Sequence, residues 1–446
     1  MDYKRTIDYI DSLHKFGINL GLPRTQKILE LLGNPQDRIK CVHIAGTNGK
    51  GSVTAMVTEI LKTAGYKVGM YTSPFIEEFE ERIQINGKNI SKSELADAVT
   101  KVARTVEQVK SLGYEDPTEF EVITCSMYLY FAEQKVDYAV IEVGLGGRED
   151  STNVIVPEVT AIVSISYDHM NILGDTLAKI AGEKAGIIKQ NVPLVLYPQK
   201  KESFGVISKV ADEKNAPVIL VKKEDVSDDT DENHKNMAYQ RFTVNTKNDT
   251  YDVKLNLLGV HQHLNTAVAI NIAEVLIGQG VKISKQHILT ALENVKWIGR
   301  LEIMGTEPLV VIDGAHNIDG VTNLANSIKR YFDYDKMTLV IGILADKQVS
   351  DMIAVIAPYA NRIIAVSPHS DRATGAKELK EKIDEFLAKD KKFADISTRY
   401  FDGYEEAFEN ALDSCKKDDL LLVAGSLYLI GDMRKVIRKN CKSSNF

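Results

Sequence analysis

Cysteine is scarce in this chain. The 446 residues hold four, Cys41, Cys125, Cys415 and Cys441, with no C-x-x-C pair among them. Nothing in this spacing reads as a disulfide framework, and reduced, mostly buried thiols in a cytoplasmic protein are expected. Long apolar runs are missing as well: no stretch approaches the roughly 18 residues that span a bilayer, so no membrane segment is expected. Positive charge is not in excess. Lys and Arg number 55 against 62 Asp and Glu, a net charge of −7, which lacks the basic footprint of a general nucleic-acid binder. Met1–Lys15 mixes acids with bases and has no apolar core, so it does not read as a signal or transit peptide. Internal repeats and long low-complexity segments are absent too.

What is present describes an ordinary globular protein, 44% hydrophobic and 26% charged. Its length exceeds what one compact core usually supports, so two or three domains are expected. Apolar runs at 41–45, 67–71, 138–143, 159–164 and 193–196 read as strands. Between them, 52–64, 93–112, 119–134 and 176–188 read as helices. Such alternation predicts an α/β fold with a parallel sheet covered on both faces. The polar, acidic stretch 222–236 reads as a solvated hairpin or loop. Helical patterns return at 261–280 and 284–295. Trp297-Ile298-Gly299-Arg300 then marks a boundary, after which strands at 309–313, 339–344, 362–367 and 419–424 and a helix at 320–331 restart the alternation. Two domains follow: 1–296, P-loop ATPase-like with a mostly parallel sheet, and 297–446, a smaller Rossmann-like α/β domain of typical size.

The most telling stretch is Ile44-Ala45-Gly46-Thr47-Asn48-Gly49-Lys50-Gly51-Ser52, between a strand pattern and a helix pattern. Gly46, Gly49 and Gly51 allow positive φ and bring backbone N–H groups close to an anion. Lys50 adds a mobile point charge, Ser52 a hydroxyl for magnesium, and the helix start its positive end. The spelling departs from G-x-x-x-x-G-K-[ST], because Ile44 replaces the first glycine and Gly51 separates Lys50 from Ser52. The expected ligand is ATP.

Glu142 is one acid at the C-terminal end of a run that otherwise reads as a buried strand. Ligands in open α/β sheets bind at that end, and a buried carboxylate needs a partner or a metal, so Glu142 is a magnesium-ligand candidate. The glycines after it are not a dinucleotide fingerprint, since Glu149 and Pro157 stand where the third glycine and the helix belong. Asp168 and His169 also follow a strand; His169 reads equally as a metal ligand or as a hydrogen-bonding residue. Glu183 and Lys184, taken alone, read as a surface pair. In the second domain, Asp313-Gly314-Ala315-His316-Asn317 and Gly425-Ser426-Leu427-Tyr428 each turn from a strand into a helix. Arg300, just past the boundary, is expected to reach back to a phosphate in a cleft between the domains.

In this order, the motifs resemble the folylpolyglutamate synthase and dihydrofolate synthase family of the Mur ligase superfamily. The resemblance runs over nearly the whole chain: 46–52, Thr72-Ser73-Pro74, Glu81-Arg82-Ile83, 142–148, Asp168-His169 with Leu173-Gly174, 183–189, His261-Gln262 with Asn265, 297–300, 313–317 and 425–428. Phe75 departs from it, where many relatives carry His. The resemblance implies that ATP phosphorylates a pteroate or folate carboxylate and that the amine of L-glutamate attacks the acyl phosphate. It implies that Gly46, Thr47, Asn48, Gly49, Lys50, Gly51 and Ser52 hold the phosphates, and that Asn265, Arg300 and Asp313 contact ATP. Ser52 and Glu142 would bind one Mg2+, and Ser73, Glu142 and His169 a second. Lys184 matches a carbamylated position, and His316 and Ser426 lie nearer the glutamate. The expected partners are small molecules (dihydropteroate or a reduced folate, and L-glutamate), the expected state a monomer. Two other readings compete with this one. A cell-wall Mur ligase would carry a further N-terminal uridine-binding domain, whereas the phosphate loop here begins near residue 46. A catalytically inactive ATP-binding module would not be expected to keep Lys50, Glu142, His169 and Lys184 together.

Overall fold

The computed structural model describes residues 1–17, 19–227 and 235–440. Cys441 and residues 228–234 of the expected 222–236 loop lie outside them. The described residues form two compact units, one within 1–227, 243–253 and 264–295, the other within 235–242, 254–263 and 296–440.

The first unit is built on an eight-stranded sheet. Its strands are β1 Lys40–Ala45, β2 Val68–Tyr71, β3 Ile83–Ile85, β4 Lys88–Asn89, β5 Tyr138–Glu142, β6 Val159–Ile162, β7 Leu194–Leu196 and β8 Val218–Leu220, in the order β4-β3-β2-β5-β1-β6-β7-β8. Neighbours from β2 to β8 run parallel, while β3 and β4 are antiparallel additions. β1, β5 and β6 are buried almost throughout, as expected of strands covered on both faces. Cys41, Tyr71, Ala139 and Ile141 pack into one cluster with the helices Tyr3–Ser12, Pro23–Leu31, Lys92–Ser111 and Glu119–Glu133. Ala45, Ile162, Leu194 and Leu196 join another with Leu177–Ala185 and Lys201–Glu213. The chain leaves β1 for β2 on one side of it and later returns to β6 on the other, so the strand order reverses at β1. That reversal opens the crevice where α/β sheets bind ligands.

Three shorter strands, β9 Val226–Ser227, β10 Gln240–Asn245 and β11 Thr250–Leu255, form a small sheet. Apart from the hairpin-or-loop reading of 222–236, the sequence reading had no strand in this interval; in β10 and β11 inward side chains alternate with outward ones, and the first inward one, Gln240, is polar. The second unit carries β12 Glu302–Thr306, β13 Leu309–Asp313, β14 Met337–Ile341, β15 Arg362–Ala365, β16 Ser397–Tyr400 and β17 Leu420–Ala424, ordered β12-β13-β17-β14-β15-β16. All pairs are parallel except β12 with β13. Helices including Ile318–Tyr331, Val349–Ile356 and Ala376–Leu387 cover its core. The helix expected at 176–188 is shorter, Leu177–Ala185.

Candidate functional site

In the first unit, three chain segments of interest leave adjacent strands at their C-terminal ends. β1 runs into Gly46–Gly49, β5 ends on Glu142, and β2 leads into Thr72-Ser73. The β1–β5 register pairs Ile44 with Glu142, so the carboxylate stands level with the start of the loop.

The loop could not be built from other residues. Gly46 has φ +153°, and a Cβ there would lie 2.2 Å from Val163 Cγ2; Gly49 has φ +93°, and its Cβ would lie 2.6 Å from Asn265 Oδ1. Asn265 is thereby located directly against the loop. The loop is also tied to the segment after β6. Thr47 N donates to Ser164 O at 2.7 Å, Thr47 Oγ1 to Ser166 O at 3.2 Å, and Asn48 Nδ2 to Ser166 Oγ at 3.2 Å. The helix Lys50–Thr63 starts immediately, with Gly49 at its N-cap and no side chain capping it. Its first turn, which includes Gly51 and the buried Ser52, offers backbone N–H groups to an anion.

Two lysines converge on one carbonyl. Lys50 Nζ donates to Gly46 O and Thr47 O, both at 3.2 Å, and stands 4.0 Å from Glu142 Oε1. Lys184 Nζ donates to the same Gly46 O at 2.7 Å. The surface-pair reading of Glu183 and Lys184 is therefore corrected: Lys184 is 4% exposed. The two neighbours diverge because they point from different faces of their helix; Glu183 stays half-buried and meets Arg148 Nε at 3.5 Å. Burial, then the repulsion of Lys50, pulls the Lys184 pKa down to about 7, against the opposing pull of Asp168 and Asp150. Glu142 is also buried, and its Oε2 accepts from Ser73 N at 3.3 Å. His169 is exposed and adopts left-handed φ at the start of a short helix, its N–H on Asp168 Oδ1 at 2.9 Å. Among the described residues, no three His, Cys, Asp or Glu side chains form a metal cage.

One polar chain escaped the sequence reading. His43, inside β1 and fully buried, donates from Nε2 to Thr152 Oγ1 at 2.9 Å, and Thr152 Oγ1 in turn donates to Asp150 Oδ1. Asp150 Oδ2 accepts from Leu145 N at 2.8 Å, which fixes the turn after Glu142. Burial drives the His43 pKa down to about 3 and raises that of Asp150. The available signal was a histidine within the apolar run Cys-Val-His-Ile-Ala.

In the second unit, β13 and β17 are neighbours that pair Asp313 with Ala424, so Asp313 and Ser426 leave adjacent strand ends. Asp313 is buried, which raises its pKa against the pull of Arg300, and it accepts from Leu301 N at 2.9 Å and Ala315 N at 2.8 Å. His316 Nδ1 donates to Gly314 O at 2.8 Å, which sets the ring's tautomer. Arg300 lies across Gly314: a Cβ there would come 2.2 Å from Arg300 Nη1. Ser426, 1% exposed, caps the next helix by accepting from Tyr428 N at 3.2 Å.

Comparison with known proteins covers both units. Residues 44–273 match the Mur ligase middle domain, and 299–427 match the Mur ligase glutamate ligase domain. The Bacillus subtilis dihydrofolate synthase/folylpolyglutamate synthase is 38% identical over 98% of this chain and 99% of its own length. Mycobacterium tuberculosis folylpolyglutamate synthase, solved with ADP and AMPPCP, superposes with a TM-score of 0.88 at 28% identity, covering 99% of this chain and 100% of that one. Escherichia coli FolC in complex with DHPP and ADP gives a TM-score of 0.86 at 26% identity, over 99% and 98% of the two chains.

Proposed function

This chain belongs to the Mur ligase family, in its folylpolyglutamate and dihydrofolate synthase branch, and on that premise we propose an ATP-dependent ligase that joins L-glutamate to a folate or pteroate carboxylate. The observation that carries the reading is the convergence of Lys50, Lys184 and Glu142 around the Gly46–Ser52 loop. A free carboxylate is a poor electrophile at neutral pH. Transfer of the γ-phosphoryl group of ATP to it gives an acyl phosphate, whose C–O bond to phosphate breaks as the glutamate amine forms the amide. The products are ADP, phosphate and the glutamylated acid.

Each residue has a distinct task. The loop from Gly46 to Ser52 presents N–H groups and Lys50 Nζ to the β- and γ-phosphates. Asn265, Arg300 and Asp313 contact the nucleotide, and His316 and Ser426 serve the glutamate side. Residues 1–296 would act as the ATP-binding domain and 297–446 as the glutamate-binding domain. Glu142, Ser52, Ser73 and His169 offer one carboxylate, two hydroxyls and an imidazole. The carboxylate and hydroxyls are hard oxygen donors and the imidazole a borderline one, an incomplete set suited to Mg2+ that keeps waters and phosphate oxygens as its other ligands. Two ions held there would screen the charge that builds on the transferring phosphoryl group. Lys184, half neutral near pH 7, can attack CO2: its N–C bond forms, a proton leaves, and a carbamate anion replaces a cation beside the metal ligands. Holding the acyl phosphate and the amine in line is worth up to roughly 7–11 kcal/mol. We further propose a cytoplasmic monomer, the oligomeric state being readable by light scattering.

The test is an omission series. Purified protein with ATP, Mg2+, L-glutamate and either dihydropteroate or tetrahydrofolate should release phosphate and form an amide, and dropping any component should stop both. Supplying the two acceptors separately reports whether one or both are used. ADP formation that ignores glutamate and pterin would refute the reading.

A further inference from the structure

Between Arg300 and Glu302 stands Leu301, 2% exposed and with φ +41°. A branched, buried side chain rarely takes this left-handed conformation, and it persists only where its surroundings impose it. Three hydrogen bonds do so here. Leu301 N donates to Asp313 Oδ2 at 2.9 Å, Gly299 N to Glu302 Oε2 at 2.8 Å, and Gly314 N to Gly299 O at 2.9 Å. The turn thus hangs between two carboxylates, and its product is the placement of the Arg300 guanidinium over Gly314.

Glu302 is itself gripped from the far end of the chain. Arg434 Nε lies 3.0 Å from both of its carboxylate oxygens, and Arg434 Nη2 also donates to Oε1. Arg434 is 8% exposed and sits on the helix Leu427–Asn440, which begins directly after Ser426. A guanidinium and a carboxylate held in this forked geometry keep orientation as well as charge. With its arginine buried and its glutamate half-buried, such an ion pair is a poor route to stability alone, since two well-packed apolar residues often do as well.

We propose that the Arg434–Glu302 pair is a brace that aims Arg300 at the nucleotide. Both are positioning residues, and the strained Leu301 turn is the part they hold. The proposal rests on the reading that Arg300 contacts ATP. It adds that the helix following Ser426 sets the geometry of that contact.

Removing one partner would strand a buried charge, so the primary variant is the double Glu302→Met/Arg434→Met, which keeps volume and leaves no charge behind. Steady-state kinetics should show the KM for ATP raised about tenfold or more, as expected of a misplaced binding group. The KM for the pterin substrate should stay unchanged, and so should the thermal midpoint. Arg434→Lys keeps the charge but not the fork, and should fall between wild type and the double variant. Leu301→Gly, which relaxes the strain and frees the turn but empties a core position, should lower the thermal midpoint and, assayed well below it, also raise the KM for ATP. If the double variant does not fold, these two single variants carry the test. Wild-type KM for ATP in the double variant, or in both single variants, overturns the brace. Arg300→Ala separates the two levels. A raised KM for ATP there, with wild-type values in the brace variants, removes the brace alone. A wild-type KM in Arg300→Ala removes the Arg300 contact and the brace with it.

Discussion

Lys184 should behave as a functional group that the fold tolerates at a cost. An ordinary lysine at pH 7 is neutral in about one molecule in three thousand, whereas a pKa of about 7 leaves half of the Lys184 amines free, a gain of about a thousandfold in nucleophile. The drop from 10.5 to about 7 corresponds to roughly 5 kcal/mol of destabilisation while the group is charged. The sign follows from proton binding. The unfolded chain holds this proton up to about pH 10.5, the folded chain only up to about 7, so stability rises with pH between those values and the full cost applies below 7. Lys184→Met removes that cost but forfeits the 2.7 Å hydrogen bond to Gly46 O, worth about 1.5–3 kcal/mol for a charged donor. At pH 6 in CO2-free buffer the variant should therefore be more stable than wild type by about 2–3 kcal/mol, an advantage that shrinks by pH 9. Its ligase activity should nearly vanish, with partial return on adding a small carboxylate to Lys184→Ala. Urea titration at the two pH values reads the first effect. Activity with and without bicarbonate, together with a 13C carbamate resonance from labelled CO2, reads the second. A Lys184→Met protein no more stable at pH 6, or a wild-type enzyme indifferent to bicarbonate with no carbamate signal, would refute the reasoning.

Other changes test separate parts of the site. Glu142→Ala should shift the magnesium titration of activity to higher concentration, and an unchanged titration would exclude Glu142 as a ligand. Gly49→Ala places a Cβ 2.6 Å from Asn265 Oδ1 at φ +93°; strain of about 1–3 kcal/mol should appear as weaker ATP binding by calorimetry. His43 is buried neutral with its pKa lowered to about 3, so the unfolded chain binds the extra proton between about pH 6.5 and 3. Stability should fall through that window at up to roughly 1.4 kcal/mol per pH unit. His43→Leu should flatten that acid limb in denaturant titrations, and an identical slope in the variant would discard His43 as its source.

Much of this molecule is legible from neighbours in the chain. β1 and the helix Lys50–Thr63 match the expected strand and helix closely, because continuous apolar burial and a glycine-rich turn are local patterns. Glu142 could be singled out by the same logic, as one acid in a buried strand. The pair β10 and β11 was missed although the signal was there: Phe242, Val244, Tyr251, Val253 and Leu255 alternate with polar residues, the pattern of a half-buried strand. Glu302 and Arg434 gave no signal: each looks like a routine surface charge until β12 and the last helix bring them together.

The sequence by itself determined the phosphate loop, the β-α alternation and the family, because backbone conformation at glycine, helix starts and strand burial depend on residues a few positions apart. Only the tertiary structure decided that Lys184 is buried on the carbonyl of Gly46, 138 residues away, and that Arg434 grips Glu302 across 132. Desolvation and ion pairing are set by what packs around a group, and that environment is assembled from distant segments only when the sheets close.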